Sequence, residues 1–215
     1  MKSVLLIGLG RFGKNIAIEL NKLGHEVLGI DHDEDKVNDM MDIITDARIG
    51  DSTNEAFLRT LGINNFDICY VTISNDFQSS LETTYLLKEL GAAFVVARAE
   101  RDGQERFLLR NGADKVVYPE KQIAKWAAIR YSSYHIIDYI ELDENNSLYE
   151  VDVPEEWIGK SIINLDIRRK YNLTVIGVKK NDVMNFTILP ETVLTKDMNL
   201  LVLGEYKALK KCFRF

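Results

Sequence analysis

Short apolar runs alternate with amphipathic segments along most of the chain: SVLLIG, RFGKNIAIELNKLG, EVLGID, EDKVNDMMD, IITDARIG, TNEAFLRTLG, DICYVTI, DFQSSLETTYLLKELG, AFVVAR, DGQERFLLRNG and KVVYP. The runs rich in Val, Ile and Leu read as strands, and the segments with apolar residues three and four apart read as helices. Six strands separated by five helices is the βαβ pattern of a doubly wound parallel sheet with helices on both faces, an α/β fold. Gly24, Gly62, Gly91 and Gly112 fall where the helices need a left-handed C-terminal cap. A further segment, EKQIAKWAAIRYSS, follows Pro119 with Ile123, Trp126, Ala127 and Ile129 at helical spacing, which predicts a crossover helix over roughly 119–132.

Around residues 135–147 the pattern changes. HIIDYIELDENNS is followed by strand-like LYEVDVP, a helix-like GKSIINLDIRRKYN, and strand-like TVIGVKK, FTIL and LLVLGE. This is a strand-rich α+β subdomain, so the expected division is 1–134 and 135–215. The total of 215 residues suits one nucleotide-sized domain plus a small companion able to pair with a copy of itself.

Charge and cysteine content narrow the options. Lys and Arg number 27 against 33 for Asp and Glu, and neither part has the basic surplus of a dedicated nucleic-acid binder. Cys69 and Cys212 form neither a disulfide framework nor metal-ligand spacing, and read as structural thiols of a reducing cytosol. The opening MKSVLLIGLG reads as a first strand rather than a signal peptide. No apolar stretch approaches the roughly 18–20 residues that span a bilayer, so a membrane role would come through a partner.

The candidate chemistry lies in Gly8-Leu9-Gly10-Arg11-Phe12-Gly13, a GxGxxG between the first strand and the first helix. Gly8 permits the tight turn, Gly10 lets a pyrophosphate approach the backbone, and Gly13 lets the helix pack on the strand. The helix N-terminus offers N–H donors to an anion, which makes this a Rossmann-like nucleotide site. Asp31 ends the second strand, where its carboxylate can accept bonds from both ribose hydroxyls and would repel a 2′-phosphate. The fingerprint selects an adenosine diphosphate moiety and leaves ATP, ADP and NAD(H) open. Arg11 puts a permanent cation at the phosphate side, which favours a third phosphate, or else is a solvated arginine on the first turn.

An oxidoreductase would need an acid or base beside the nicotinamide. His25 and His32 flank the second strand at the adenosine end, His135 lies at the domain junction, and the one Tyr-x-x-x-Lys pair, Tyr206 with Lys210, is outside the parallel sheet. A catalytic role is therefore not expected.

Together IGLGRFG, EVLGID, GDSTNEAFLRTLGI and NGADKVVYPEKQIA resemble the RCK family, regulators of potassium conductance with TrkA-N and TrkA-C domains that serve Ktr and Trk potassium-uptake systems, and most resemble its Ktr branch. The resemblance covers essentially the whole chain. It implies a cytoplasmic, non-enzymatic gating subunit whose dimers assemble into an octameric ring beneath a membrane-embedded potassium channel subunit. ATP would favour the conducting form and ADP the closed one. It places Asp31 on the ribose, Arg11 near the terminal phosphate and Asp51 near the adenine, with Phe12, His32 and Ser52 also among the nucleotide-binding residues. Asp51 could alternatively cap a helix starting at Thr53. Thr72, Ile73, Ser74 and Asn75 would line the phosphate side, with Arg98 at the same sheet edge or in an ion pair. Glu120 would hold Mg²⁺ or Ca²⁺, or simply complement a helix dipole. In the C-terminal subdomain the resemblance implies a cyclic di-AMP site with Ile163, Ile176 and Pro190 against adenine, Arg168 on a phosphate and Asn172 on a base edge or ribose. Ile163 and Ile176 as core residues, and Arg168 in a basic last helical turn, are the alternatives. An NAD(H)-responsive Trk-type regulator and an antiporter-associated sensor use the same chemistry.

Overall fold

A computed structural model describes residues 1–213. Their contacts divide the chain into two compact units, Met1–Lys121 and the residues from Gln122 onward.

The first unit carries β1 (Ser3–Ile7), α1 (Arg11–Lys22), β2 (Glu26–Asp31), α2 (Glu34–Asn38), β3 (Asp46–Ile49), α3 (Glu55–Thr60), β4 (Ile68–Val71), α4 (Phe77–Glu89), β5 (Val95–Arg98), α5 (Asp102–Arg110) and β6 (Lys115–Val117). The strands form one parallel sheet in the order β3-β2-β1-β4-β5-β6. Chain order runs outward on both sides of the β1–β4 pair, so the loops leaving those strands part and open a crevice at the carboxyl edge. β1 shows why its sequence is apolar throughout: Val4 and Leu6 enter a cluster with Val27, Val37 and Met40, while Leu5 and Ile7 enter another with Ile30, Val71 and Val95. Each fully buried side chain of this size stabilises by about 1.5–3 kcal/mol. The four helix-ending glycines hold φ of 77°, 68°, 86° and 109°, as their spacing predicts.

α6 (Pro119–Arg130) begins at the end of the first unit. Its expected apolar face is only partly used: Trp126 and Ile129 pack on the second unit's core, whereas Ile123 is 63% exposed. That second unit continues with β7 (Ile136–Glu141), β8 (Asn146–Asp152), α7 (Ile162–Leu165), α8 (Ile167–Tyr171), β9 (Thr174–Lys180), β10 (Val183–Asn185), β11 (Met198–Glu205) and α9 (Tyr206–Phe213). Its antiparallel sheet has the order β10-β9-β11-β8-β7. Strict alternation of burial along β8 marks a sheet that buries one face.

Two details differ from the sequence reading. GKSIINLDIRRKYN is two short helices, broken at Asp166, which adopts φ 51°. Leu165 and Ile167 lie two positions apart and would face opposite ways on one helix; the break lets both be buried. The strand expected at FTIL is instead Val183–Asn185, because Asn181 and Asp182, both with positive φ, close a two-residue hairpin that fixes the register Val183↔Lys180. Pairing ends at Asn185, whose side chain accepts a bond from Thr187 N at 2.9 Å and turns the chain away. The last segment forms α9, with Leu209, Cys212 and Phe213 on its buried face.

Both thiols are free and buried, and burial pushes each up to about 12. The thiolate is the reactive form. Neither is therefore expected to react with a maleimide at pH 7 in the native protein, and both should label in denaturant; native labelling at the denatured rate would contradict this packing.

Candidate functional site

The crevice at the switch point is a cavity of about 1080 Å³ walled by the loops after β1, β2, β3, β4 and β5. Gly8, Gly10, Arg11, Phe12, Asp31, His32, Asp51, Ser52, Thr72, Ile73, Ser74, Asn75, Arg98 and Glu120 all line it.

Gly13 does not line it, and its geometry explains why. A Cβ there would stand 2.0 Å from Gly8 O and 2.5 Å from Thr72 Oγ1. The Thr72 hydroxyl donates to Gly8 O at 2.5 Å, so the end of β4, the glycine turn and α1 are locked together. Gly8 has φ +98°, and a side chain there would also meet Ile73 N at 2.9 Å. At Gly10 an added Cβ would meet nothing within 4 Å, so this stretch of backbone is accessible from outside.

Gly10 caps α1 without a side chain, and the first turn contains no acid. Three other helices of this crevice are capped: Asp33 accepts from Asp35 N, Asn54 from Phe57 N and Asp76 from Ser79 N; α5 lacks a side-chain cap but carries Asp102 and Glu105 in its first turn, which repel an anion there. The start of α1 is thus the helix terminus where an anion finds free N–H donors and the positive end of the dipole. Arg11, exposed, makes no ion pair among the described residues.

Asp31 is 6% exposed. Its Oδ2 accepts from Leu9 N at 2.8 Å and its Oδ1 from Asp33 N at 3.0 Å. The carboxylate therefore anchors the glycine turn as well as facing the cavity, a second role that the fingerprint spacing did not reveal. Lys36 Nζ lies 3.4 Å from Asp31 Oδ1 and 3.4 Å from Asp33 Oδ2. Lys36, Asn15, Thr53, Asp76, Ser79 and Glu100 are lining residues that sequence reasoning missed. Ser79 had a signal, since it follows Asp76 at cap spacing after a strand of this edge.

Asp51 does not cap a helix starting at Thr53; α3 starts at Glu55 and Asn54 is its cap. Asp51 instead accepts from the hydroxyl of Thr53 at 2.7 Å and from its N–H at 2.9 Å. The hydroxyl bond, then the backbone bond, hold its carboxyl below the usual range. Ser79 does the same for Asp76. Ser52 Oγ is 2.8 Å from Thr83 Oγ1 and ties the loop after β3 to α4. His32 lines the cavity, but His25 sits at the amino end of β2, accepting from Lys2 N, and not at the adenosine end as its sequence position suggested.

Arg98 and Glu120 are brought together: Arg98 Nη2 donates to Glu120 Oε1 at 2.6 Å, and Glu100 lies 3.4 Å away. Arg98 also lies 5.5 Å from the centre of the Phe12 ring. Among the described residues no group of three or more His, Cys, Asp or Glu could hold a metal ion by itself.

In the second unit, Ile163 N donates to Pro190 O at 2.9 Å, and Asn172 N donates to Arg168 O at 3.0 Å. No hydrogen bond or ion pair joins these two pairs among the described residues. Ile163 is 57% exposed rather than a core residue, Ile176 is half-buried on β9, and Arg168 lies in the basic last turn of α8. Asn172 ends that helix in the left-handed region at φ 57°.

The parallel sheet with its uncapped glycine turn, followed by a small antiparallel α+β unit, defines a Rossmann-type nucleotide-site architecture with a C-terminal companion. A family model for the TrkA-N domain matches residues 4–119, and one for the TrkA-C domain matches 148–215. The chain belongs to this TrkA-N/TrkA-C family, the RCK family. Ktr system potassium uptake protein C of Bacillus subtilis is 39% identical over 203 residues, covering 94% of this chain and 92% of that protein. Ktr system potassium uptake protein A of the same organism is 35% identical over 210 residues, covering 98% and 95%. The solved GsuK channel bound to NAD matches with a TM-score of 0.68 at 19% identity, over 97% of this chain and 38% of that chain. That likeness is one of fold, and this chain spans under half of the channel. No helix among the described residues is long and apolar enough to cross a membrane.

Proposed function

We propose that this chain is a non-enzymatic, cytoplasmic gating subunit of a potassium-uptake system, switched by an adenine nucleotide in the β1–β4 crevice. One observation carries the reading: the uncapped start of α1, the buried Asp31 and the cations Arg11 and Arg98 border a single cavity in a chain of the RCK family. The residues fit a nucleotide, because Gly8 and Gly13 fill their space with backbone while Gly10 leaves its own open. When bound, the nucleotide supplies phosphate charge. The chain supplies N–H donors from α1, cations for the phosphates and the Asp31 carboxylate for ribose hydroxyls.

ATP and ADP are favoured over NAD(H) because two arginines border the phosphate side: ATP brings a third phosphate, and the free terminal phosphate of ADP carries more negative charge than the diester pyrophosphate of NAD(H). A switch also needs unequal affinity for the two states, since a ligand binding both equally shifts neither. The two domains, 1–134 and 135–215, would then act as a nucleotide switch and a dimerising sensor. Dimers would assemble into an octameric ring on a membrane-embedded channel subunit, which would hold this chain at the inner face of the membrane. Mg²⁺ or Ca²⁺ at Glu120 would need phosphate oxygens, waters or a second subunit to complete its ligands, and would compete with Arg98 for the carboxylate. Cyclic di-AMP is the proposed second ligand of the C-terminal subdomain, at Ile163, Arg168, Asn172, Ile176 and Pro190.

Calorimetry on the purified chain should give tighter binding for ATP and ADP than for NADH, and light scattering should give an octamer. Preferential tight binding of NADH would move the assignment to an NAD(H)-responsive Trk-type regulator, and a nucleotide-free monomer would sink the ring.

A further inference from the structure

We infer that Glu120 is an internal counter-ion that nucleotide phosphates displace from Arg98, so that the cavity ranks its ligands by the charge they bring to that arginine. The inference rests on the reading of this cavity as a nucleotide site.

The pair is lopsided. The Arg98 side chain is 12% exposed, whereas that of Glu120 is 59% exposed. If the 2.6 Å bond breaks, Glu120 swings into water and regains its hydration, while Arg98 stays buried and needs another anion. Removing one partner of a buried charge leaves the other uncompensated, and so the cost falls almost wholly on the arginine side. An exposed carboxylate with one hydrogen bond is the partner that yields.

Arg98 is also built to receive a phosphate. Its guanidinium packs against Phe12 of the glycine turn, beside the start of α1, which holds it at the cavity wall. Its Nε is buried and has no hydrogen-bond partner. A buried N–H without a partner is uncommon and costly. A phosphate, with several acceptor oxygens, can bond two guanidinium nitrogens at once, which Glu120 does not do here. Glu100, at 3.4 Å and 42% exposed, is a weaker second counter-ion. Displacement has a structural result too: the bond ties the end of β5 to the first turn of α6, and phosphate binding would untie them.

The test is calorimetry with ATP, ADP and AMP on the full chain in chelator, which removes cation bridging, comparing wild type, Glu120→Gln, Arg98→Gln and the double variant. Glu120→Gln is expected to tighten ATP up to about fivefold, as one lost competing ion pair allows, and AMP less than about twofold. Arg98→Gln should weaken ATP and erase the gain from Glu120→Gln, because the two residues act through one bond. Unchanged or weaker ATP binding by Glu120→Gln, with wild-type binding intact, overturns the counter-ion role and leaves the nucleotide site standing. If wild type binds none of the three nucleotides, the site reading itself falls and the inference with it. Glu120→Gln keeps a hydrogen-bond acceptor beside Arg98 but removes its charge, so the variant should stay folded and melt somewhat below wild type, with Glu100 still 3.4 Å from the guanidinium.

Discussion

Gly13→Ala is expected to lower stability by about 3–5 kcal/mol, which for a chain of this size is a fall in melting temperature of roughly 10 °C. The added methyl would stand 2.0 Å from a backbone oxygen, Gly8 O, which no rotamer change relieves. α1 would have to lift from β1, breaking the Thr72 hydroxyl bond to Gly8 O that closes the turn. Nucleotide binding should be lost with it, since the start of α1 would no longer face the crevice. Alanine at Gly10 is the control: a Cβ there meets nothing within 4 Å, so the fold should hold. Equal melting temperatures for wild type and Gly13→Ala, read by circular dichroism, would show that the turn is not packed as described.

Asp31→Ala should abolish ATP and ADP binding, with a loss of at least about 100-fold, because the proposed site would lose its two charge-assisted bonds to ribose. It should also cost about 3–5 kcal/mol of stability, since Leu9 N and Asp33 N both lose a carboxylate acceptor. The two effects separate by measurement, with melting curves for the second and calorimetry on the folded fraction for the first. A folded variant that binds ATP with wild-type affinity would remove Asp31 from the ligand site.

The parallel sheet was legible because its signals are local and repeat. Each strand is an apolar run, each helix a periodic one, and glycines such as Gly62 and Gly91 mark the joints. The switch point followed from the same pattern, and with it most of the cavity wall. What stayed hidden depended on the chain's return in space. Lys36 reaches Asp31 from the next helix, and Arg98 meets Glu120 across 22 positions, so neither partner announces the other. Sequence placed both Arg98 and Glu120 at the site, yet could not show that each is the other's counter-ion. His25 was misplaced because a residue flanking a strand can lie at either end, and only one end of a parallel sheet faces the ligand. In the second unit, two positive-φ residues, Asn181 and Asp182, set the hairpin and moved a strand from FTIL to VMN. Asp166 broke a helix whose composition looked continuous.

The crevice takes its walls from both halves of the six-stranded sheet: Asp31 and Ser52 come from the side of β2 and β3, and Thr72 and Arg98 from the side of β4 and β5. A ligand seated there is a non-covalent staple between segments as far apart in the chain as Gly8 and Arg98. Opening either half would release it, so the free energy of binding adds to that of the whole unit, by about 2.7 kcal/mol at a hundred times Kd. The nucleotide level of the cell would then set how often the backbone amides of β2 and β5 exchange with solvent, making folding itself a readout of the same signal.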